Sequence, residues 1–285
     1  MDIIKASRMH GPIRGVLIDV SGTVHVGDKV IPGAAGALDR LRASGIPFRF
    51  CTNTTQSSGD SLANKLRNLG LNVNRDEIFT SLSACRQLVK SRGLRPLLLL
   101  ETDAKQEFEE IEQSEPHDAV IVGLSPSSFH YDKLNKAFKL LVESKSSSQP
   151  TTLIAVHKAK YFADGADGRL SLGPGGFVEA LEYASGVKAH VVGKPEKAFF
   201  ELAIQNMGIE LSASSDQSKE SSGIVMIGDD VEQDLGGGAA ELGLIRCLVQ
   251  TGKYRANDEN RDAFGGLDGT YADFAAVVDY ILARQ

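Results

Sequence analysis

Two short apolar runs in this sequence each end in a carboxylate. Asp19 follows the run 15–18, and Asp229 follows the run 223–228. In an open sheet of parallel strands with crossover helices, ligands bind at the carboxyl ends of the strands. Carboxylates that converge there need a cation to compensate their charge, and oxygen ligands of this kind suit Mg²⁺. The two runs therefore predict an α/β fold with an acidic metal site at one edge of the sheet.

The bulk composition narrows the classes of partner. The chain has 285 residues, 42% of them hydrophobic, and a formal net charge of −6. This acidic balance argues against a nucleic-acid-binding protein, which needs a basic surface. It is compatible with a phosphorylated small molecule or a phosphoamino acid, whose charge a metal ion and a few local donors can balance. The longest aliphatic run, 97–100, is too short to cross a bilayer, so we expect no membrane partner.

The termini and cysteines predict a cytoplasmic location. Residues 1–8 contain no apolar stretch of the kind found in secretory signals. The three cysteines are an odd number and form no Cys-x-x-Cys pair, which is typical of a reducing compartment.

Apolar strand-like runs alternate with helix-like runs along the chain, which predicts a Rossmann-like parallel α/β core. Its predicted strands are 15–19, 46–52, 188–193, 223–228 and 244–249, and its predicted helices are 34–44, 57–69 and 195–207. A second set has predicted strands at 96–100, 118–123 and 152–156, and predicted helices at 82–91, 104–112, 131–143 and 176–185. We therefore predict a core domain at 1–78 and 188–285 with an inserted α/β cap domain at 79–187. The polar segments 144–150 and 211–222 are expected to be mobile loops.

Four motifs occur in a fixed order at predicted strand ends. They are Asp19-x-Ser21-Gly-Thr, the run 50–54 (Phe-Cys-Thr-Asn-Thr), Val-Gly-Lys194-Pro, and Gly-Asp229-Asp-x₃-Asp234. Together these motifs resemble the haloacid dehalogenase (HAD) superfamily of phosphohydrolases, in the branch with a large α/β cap inserted after the second motif. The resemblance covers essentially the whole chain.

The resemblance implies a role for most of the motif residues. Asp19 is implied to be the nucleophile that forms an aspartyl phosphate. Mg²⁺ is implied to bind Asp19, the backbone carbonyl of Ser21 and the carboxylate of Asp229. Thr52 and Asn53 are implied to bind the phosphoryl oxygens. Without the other motifs, Asp19 would more often be a capping residue at a strand end, and the pair Thr52-Asn53 would less often be an ordinary turn.

The remaining charged motif residues have an electrostatic interpretation. Lys194 would offset the charge of Asp19 and hold the phosphate, although most lysines simply face solvent. Asp230 and Asp234 would orient Lys194 or a metal-bound water; the alternative is a solvated acidic turn. The glycines at 236–238 are not part of a nucleotide-binding fingerprint, so a nucleotide-binding regulator finds no support.

Ser21 departs from the family pattern. Most phosphatases of the superfamily have Asp at this position as general acid and base, which typically supplies roughly 10²- to 10⁴-fold in rate. A serine cannot protonate a poor leaving group. We therefore expect a preference for substrates with good leaving groups: pyrophosphate, phosphoramidates such as phospholysine and phosphohistidine, and aryl phosphates.

Three further residues have open interpretations. His157 and Lys158 are predicted to select the substrate from the cap, or to form a plain exposed strand end. His25 would assist the chemistry or pack beside a loop.

The family resemblance makes a homodimer plausible. The rival to an enzyme is a degenerate HAD protein that binds metal and phosphate, or a protein partner, with little turnover; the missing Asp at position 21 favours it, whereas Asp19, Lys194 and Asp229 oppose it.

Overall fold

The computed structural model describes residues 11–284, except 147, 165–168, 212–221, 262, 264 and 265. Most of the segment 211–222, for which we expected mobility, therefore lies outside the described residues. Contacts divide the chain into two compact units. The first comprises the described residues of Met1–Thr52, Ala63–Phe79 and Lys194–Gln285, and the second comprises those of Asn53–Leu62 and Thr80–Gly193.

The elements of the described residues are numbered here in chain order. The strands are β1 (Gly15–Ile18), β2 (His25–Val26), β3 (Lys29–Val30), β4 (Phe48–Thr52), β5 (Ile78–Thr80), β6 (Pro96–Leu99), β7 (Ala119–Val122), β8 (Thr152–Ala155), β9 (Tyr161–Asp164), β10 (Arg169–Leu172), β11 (His190–Val191), β12 (Ile224–Gly228), β13 (Ile245–Val249) and β14 (Gly269–Tyr271). The helices are α1 (Ala34–Ala43), α2 (Gly59–Asn68), α3 (Ser81–Arg92), α4 (Thr102–Lys105), α5 (Tyr131–Glu143), α6 (Gly175–Ser185), α7 (Lys197–Asn206), α8 (Gly237–Glu241) and α9 (Phe274–Leu282). Short 3₁₀ turns lie at Arg75–Glu77, Gln106–Phe108, Pro126–Ser128, Ser144–Ser146 and Asp258–Arg261.

A six-stranded sheet with the order β14-β13-β12-β1-β4-β5 forms the centre of the first unit. Strand β1 pairs in parallel with β12 on one side and with β4 on the other. Its residues Val16, Leu17 and Ile18 are fully buried. Burial on both faces explains why the run is apolar throughout and does not alternate with polar residues. The parallel pairing brings the carboxyl ends of β12, β1 and β4 to one edge, as the sequence predicts.

Helix α1 shows how the apolar pattern selects the buried face. Ala34, Ala37, Leu38 and Leu41 are buried at helical spacing, and α1 packs against α9. Burial of each leucine stabilises the fold by about 1.5–3 kcal/mol. The helix ends at Ala43, just before Gly45, whose φ of 75° lies in the left-handed region that glycine adopts without strain.

The second unit contains its own parallel sheet, of order β11-β8-β7-β6. Successive residues of β7 face opposite layers, so that Ile121 joins one apolar cluster while Val120 and Val122 join the other. Helix α3 contributes Leu82 and Val89 to the first cluster. The second cluster takes its helical residues from α5 and α6: Ala137, Leu141, Val178 and Leu181. Both layers of helices are therefore explained by strands that are apolar on each face.

The structure corrects several predicted elements. The run 188–193, predicted as a strand of the first sheet, contains β11, which pairs with β8 in the second unit. The predicted helix 104–112 is instead the short α4 followed by a 3₁₀ turn. Helix α7 begins at Lys197, so Pro195 lies before its first turn. Strands β5 and β14 were not predicted, because runs of three residues show no clear periodicity. The predicted domain bounds stay a prediction.

Two surface properties of the described residues bear on function. No helix among them has the length and apolar character needed to span a membrane. Strands β9 and β10 form an antiparallel hairpin whose Tyr161, Leu170 and Leu172 are at least 60% exposed.

All three cysteines of the chain are buried and free.

Candidate active site

Lys194 is the centre of a buried ionic cluster in the first unit. Its Nζ donates to Asp19 Oδ1 at 2.5 Å, to Asp234 Oδ1 at 2.6 Å and to the backbone carbonyl of Cys51 at 2.9 Å. Only 3% of the lysine is exposed. Burial alone would lower the pKa of Lys194, but the charges of Asp19 and Asp234 outweigh it and raise this pKa. The lysine is therefore a fixed cation between the two carboxylates.

Three carboxylates meet beside this lysine. One oxygen each of Asp19, Asp229 and Asp234 lies within 4.8 Å of the others, and all three residues are buried. Burial, together with the charges of Asp19 and Asp234, raises the pKa of Asp229 to about 8. Burial and Asp19 also raise the pKa of Asp234, to about 6, although Lys194 acts against this. The cluster therefore holds more negative charge than Lys194 alone balances.

Asp229 has one oxygen bound and one without a partner. Its Oδ2 accepts a hydrogen bond from the backbone N–H of Lys253 at 2.6 Å. Its Oδ1 is buried and has no hydrogen-bond partner among the described residues. A buried carboxylate oxygen without a donor costs folding free energy, and a bound ion is one explanation for such an oxygen in a native protein. An oxygen-rich set with an unpartnered carboxylate oxygen fits a hard divalent cation such as Mg²⁺.

The turn after β1 packs directly on Asp229. Gly22 has a φ of 97°, which only glycine adopts readily, and a Cβ at this position would overlap with the Asp229 carboxylate. Its N–H donates to the carbonyl of His25 at 2.7 Å. The Thr23 hydroxyl donates to Asp19 Oδ2 at 3.3 Å, and the Ser21 residue is exposed. The glycine in the first motif is thus a steric requirement of the site.

Asp230 and Asp234 stabilise the loop after β12. The backbone N–H of Asp230 donates to Asp234 Oδ2 at 3.1 Å. Asp230 itself accepts from the N–H groups of Glu232 and Gln233 and pairs with Lys253 Nζ at 3.0 Å. Asp234 thus contacts Lys194 directly, whereas Asp230 contacts the loop and Lys253; the orienting roles expected of both stay predictions.

The second motif ends β4, the neighbour of β1. Thr52 is its last residue and is 3% exposed. Asn53 belongs to the second compact unit, where its side-chain oxygen lies beside Gly193, close enough to overlap with a Cβ there. The structure thus places Thr52 at the carboxyl edge of the first sheet.

His157 and Lys158 lie in the second unit and contact their own surroundings. His157 is buried, and its Nε2 lies 3.3 Å from the Thr55 hydroxyl. Lys158 Nζ pairs with Glu179 at 2.7 Å and with Glu182 at 2.9 Å, both on α6. The positive charge of Lys158 is therefore already balanced by two carboxylates.

His25 is held by a local contact. It is 3% exposed, and its Nδ1 lies 2.8 Å from the carbonyl of Gly27. Burial lowers the pKa of His25, although the Gly27 contact acts in the opposite direction. This environment favours a neutral histidine that packs in the β2–β3 turn.

Sequence reasoning missed one group of residues at the site. Thr251, Gly252 and Lys253 follow β13, and each contacts Gly22 or Asp229. The signal was available, because the strand 244–249 was predicted and its carboxyl end must share the edge of Asp229. None of the four motifs extends to residues 251–253.

Two family models match most of the chain. Residues 16–113 match the haloacid dehalogenase-like hydrolases, and residues 191–275 match a second model of HAD-hydrolase-like proteins. The human "Haloacid dehalogenase-like hydrolase domain-containing protein 2" is 47% identical over 249 residues, which cover 87% of this chain and 88% of that protein. The chain belongs to the haloacid dehalogenase-like hydrolases. The Xenopus laevis "Phospholysine phosphohistidine inorganic pyrophosphate phosphatase" is 38% identical and covers 96% of each chain.

Two solved structures show the same fold. The 4-nitrophenylphosphatase of Thermotoga maritima superposes with a TM-score of 0.81 at 23% identity, covering 94% of this chain and 97% of that one. NagD of E. coli superposes with a TM-score of 0.79 at 22% identity, covering 93% and 98%. The predictions of the HAD family, of an α/β fold with a cap domain and of a phosphatase are confirmed.

Proposed function

We propose that this phosphatase is Mg²⁺-dependent, acts through Asp19 and prefers phosphoryl donors with good leaving groups. The observation that carries the proposal is the cluster of Lys194, Asp19 and Asp234 beside the unpartnered Oδ1 of Asp229. One buried cation for three buried carboxylates leaves the site short of positive charge. A divalent ion would complete it.

The metal site is proposed to consist of Asp19, the backbone carbonyl of Ser21 and the carboxylate of Asp229. When bound, Mg²⁺ would stabilise the negative charge of the transferring phosphoryl group. It would also reduce the repulsion between that charge and the Asp19 carboxylate. Lys194 and the Thr52 hydroxyl are proposed to stabilise the phosphoryl oxygens as positive and dipolar partners. Asn53, His157 and Lys158 remain predicted substrate-binding residues.

In the first step, a carboxylate oxygen of Asp19 attacks phosphorus and forms an Asp–O–P bond. The bond from phosphorus to the leaving group breaks, and the leaving group departs with the electron pair. Lys194 is already placed 2.5 Å from Asp19 Oδ1, so it orients the nucleophile. It keeps its proton because the neighbouring carboxylates raise its pKa.

In the second step, water attacks phosphorus, the Asp–O–P bond breaks, and Asp19 and inorganic phosphate are released. The water loses its proton to solvent or to the phosphate product, since Ser21 is no base at neutral pH. The same residue offers no proton to the leaving group in the first step. Leaving groups that depart without protonation are therefore favoured.

The names of the relatives agree with this preference. One group of relatives is named for phospholysine, phosphohistidine and inorganic pyrophosphate, and one structural neighbour for 4-nitrophenyl phosphate. In the first group the leaving group is the already protonated nitrogen of a phosphoramidate or a second phosphate, and in the last it is an aryl oxide. We extend this substrate class to the present chain, while its cytoplasmic location and homodimer formation stay predictions.

A series of phosphoesters with graded leaving-group pKa tests the substrate class. We expect kcat/KM to fall steeply as the leaving-group pKa rises, and Ser21→Asp to raise the rate on alkyl phosphates by up to about 10²-fold. Ser21→Asn is the matched control, because asparagine has the size of the introduced aspartate but no titratable proton. A flat dependence in the wild type would contradict the role given to Ser21, and Mg²⁺ binding without turnover on any donor would favour the binding protein.

The acidic cluster predicts that Mg²⁺ stabilises the fold more strongly at higher pH. Burial and charge raise the folded-state pKa of Asp229 from 3.8 to about 8, so between these values the folded state binds more protons than the unfolded state. Without metal, ionisation of Asp229 therefore lowers the free energy of unfolding as pH rises. Mg²⁺ binds the ionised form and opposes this loss. At about 100 times its dissociation constant, Mg²⁺ adds about 2.7 kcal/mol.

Thermal unfolding with Mg²⁺ or with EDTA at pH 5 and pH 8 measures this effect. We expect the larger Mg²⁺-induced shift at pH 8. Asp229→Asn should abolish the shift, whereas Asp279→Asn, at an exposed pair with Arg40, should retain it. Equal shifts at both pH values would contradict the proposed metal site.

A further inference from the structure

The segment 251–253 connects two parts of the proposed metal site, the turn after β1 and Asp229. The Thr251 hydroxyl donates to the carbonyl of Gly22 at 2.5 Å, and the Lys253 N–H donates to Asp229 Oδ2 at 2.6 Å. Between them, Gly252 lies so close that a Cβ would overlap with the Cα of Gly22 and with the Asp229 carboxylate. Three consecutive residues thus contact both the turn after β1 and the carboxylate after β12.

The turn after β1 is fixed at two successive peptide groups. The Gly22 N–H donates to the His25 carbonyl at 2.7 Å, and a planar trans peptide then sets the direction of the Ser21 carbonyl. The next carbonyl, that of Gly22, accepts from Thr251. Because glycine at φ 97° has a wide conformational range, this second bond restricts a backbone that would otherwise be free to rotate.

Asp229 is oriented from the same segment. The hydrogen bond from the Lys253 N–H holds Oδ2, so that Oδ1 is the oxygen left without a partner. Hydrogen bonds from N–H groups to carboxylates are strongest when the carboxylate is ionised, as it would be with a bound cation. The segment is itself braced, since Arg255 Nη1 donates to the carbonyls of Lys253 at 3.0 Å and Tyr254 at 2.9 Å.

We propose that Thr251 is a positioning residue for Mg²⁺, because its hydroxyl holds the Ser21–Gly22 turn in register with Asp229. This inference rests on the proposed function, since it assumes that the Ser21 carbonyl and Asp229 bind the metal. Residues that orient metal ligands typically contribute 10- to 100-fold to metal affinity. Thr251 is proposed to act through the Ser21–Gly22 turn and not by contact with the reacting atoms.

Calorimetric titration of metal-free protein with Mg²⁺ tests the proposal without measuring activity. We expect Thr251→Val, which keeps the volume and removes the hydroxyl, to weaken Mg²⁺ binding at least about tenfold. Thr251→Ser should restore it. Ser44→Ala is the matched control, because it also removes a hydroxyl that donates to a backbone carbonyl, that of Leu41 at 2.7 Å, but at the end of α1.

The outcomes separate this proposal from the proposed function. If wild-type protein binds Mg²⁺ and Thr251→Val binds it equally well, Thr251 has no positioning role. The same conclusion follows if Ser44→Ala weakens binding as much as Thr251→Val. If the wild type itself binds no Mg²⁺, the proposed function is wrong, and the role of Thr251 falls with it. The unfolding midpoint of each variant in EDTA shows whether it is folded.

Discussion

Asp19→Asn is expected to lower kcat by at least about 10⁴-fold, the scale seen when a nucleophile is removed. The amide oxygen is a poor nucleophile, and the substitution also removes one of the three clustered carboxylates. The fold should persist, because the amide has nearly the same shape and repulsion within the cluster falls. Steady-state kinetics with an activated aryl phosphate measure the loss.

Rapid quenching gives a direct readout of the same step. In wild-type protein, the peptide that contains Asp19 should gain a phosphoryl group, and Asp19→Asn should show none. Asp279→Asn, at an exposed aspartate of α9, should keep both the adduct and the rate. Wild-type turnover without any adduct on Asp19, or turnover that persists in excess chelator, would show that the proposed mechanism is wrong.

Lys194→Met is expected to lower kcat by about 10²- to 10³-fold, the range for loss of one preorganised electrostatic contact. It should also lower the free energy of unfolding by about 3–5 kcal/mol, since removal of one partner leaves buried charges uncompensated. The affected carboxylates are those of Asp19 and Asp234, which lie 2.5 and 2.6 Å from Nζ. Kinetics and chemical denaturation measure the two effects separately.

The control is Lys197→Met, three residues along the chain at the start of α7. The side chain of Lys197 is 39% exposed and lies 3.9 Å from Glu201, so its loss should change neither quantity appreciably. Assays of Lys194→Met are made at a temperature at which circular dichroism shows it folded. A folded Lys194→Met protein with the wild-type kcat would exclude Lys194 from the chemistry.

The sequence predicted the parts of the site that follow directly from strand order. Asp19 and Asp229 follow apolar runs predicted to be buried parallel strands, and the parallel pairing of β1 with β12 brings the two residues to one edge. The pairing of Lys194 with Asp19 was expected on electrostatic grounds, and contact with Lys194 was one of the alternatives for Asp234; the structure has both contacts. The role of each residue in catalysis stays a proposal.

Other features depend on packing that no local pattern encodes. The run 188–193 is apolar enough for either sheet, and only tertiary pairing assigns β11 to the strand β8. Lys158 was predicted either to select the substrate or to form a plain exposed strand end, and its partners Glu179 and Glu182 lie more than twenty positions away in sequence. The contacts of Thr251 with Gly22 likewise join loops more than two hundred positions apart.

The buried cysteines have a consequence for the redox tolerance of this chemistry. Burial raises the pKa of Cys51 to about 12, and it raises the pKa values of Cys85 and Cys247 as well. Thiols that are neither ionised nor accessible react slowly with peroxide and alkylating agents. A hydrolase that acts through a carboxylate, as we propose for Asp19, needs no thiolate, so peroxide should not inactivate it through its three buried cysteines.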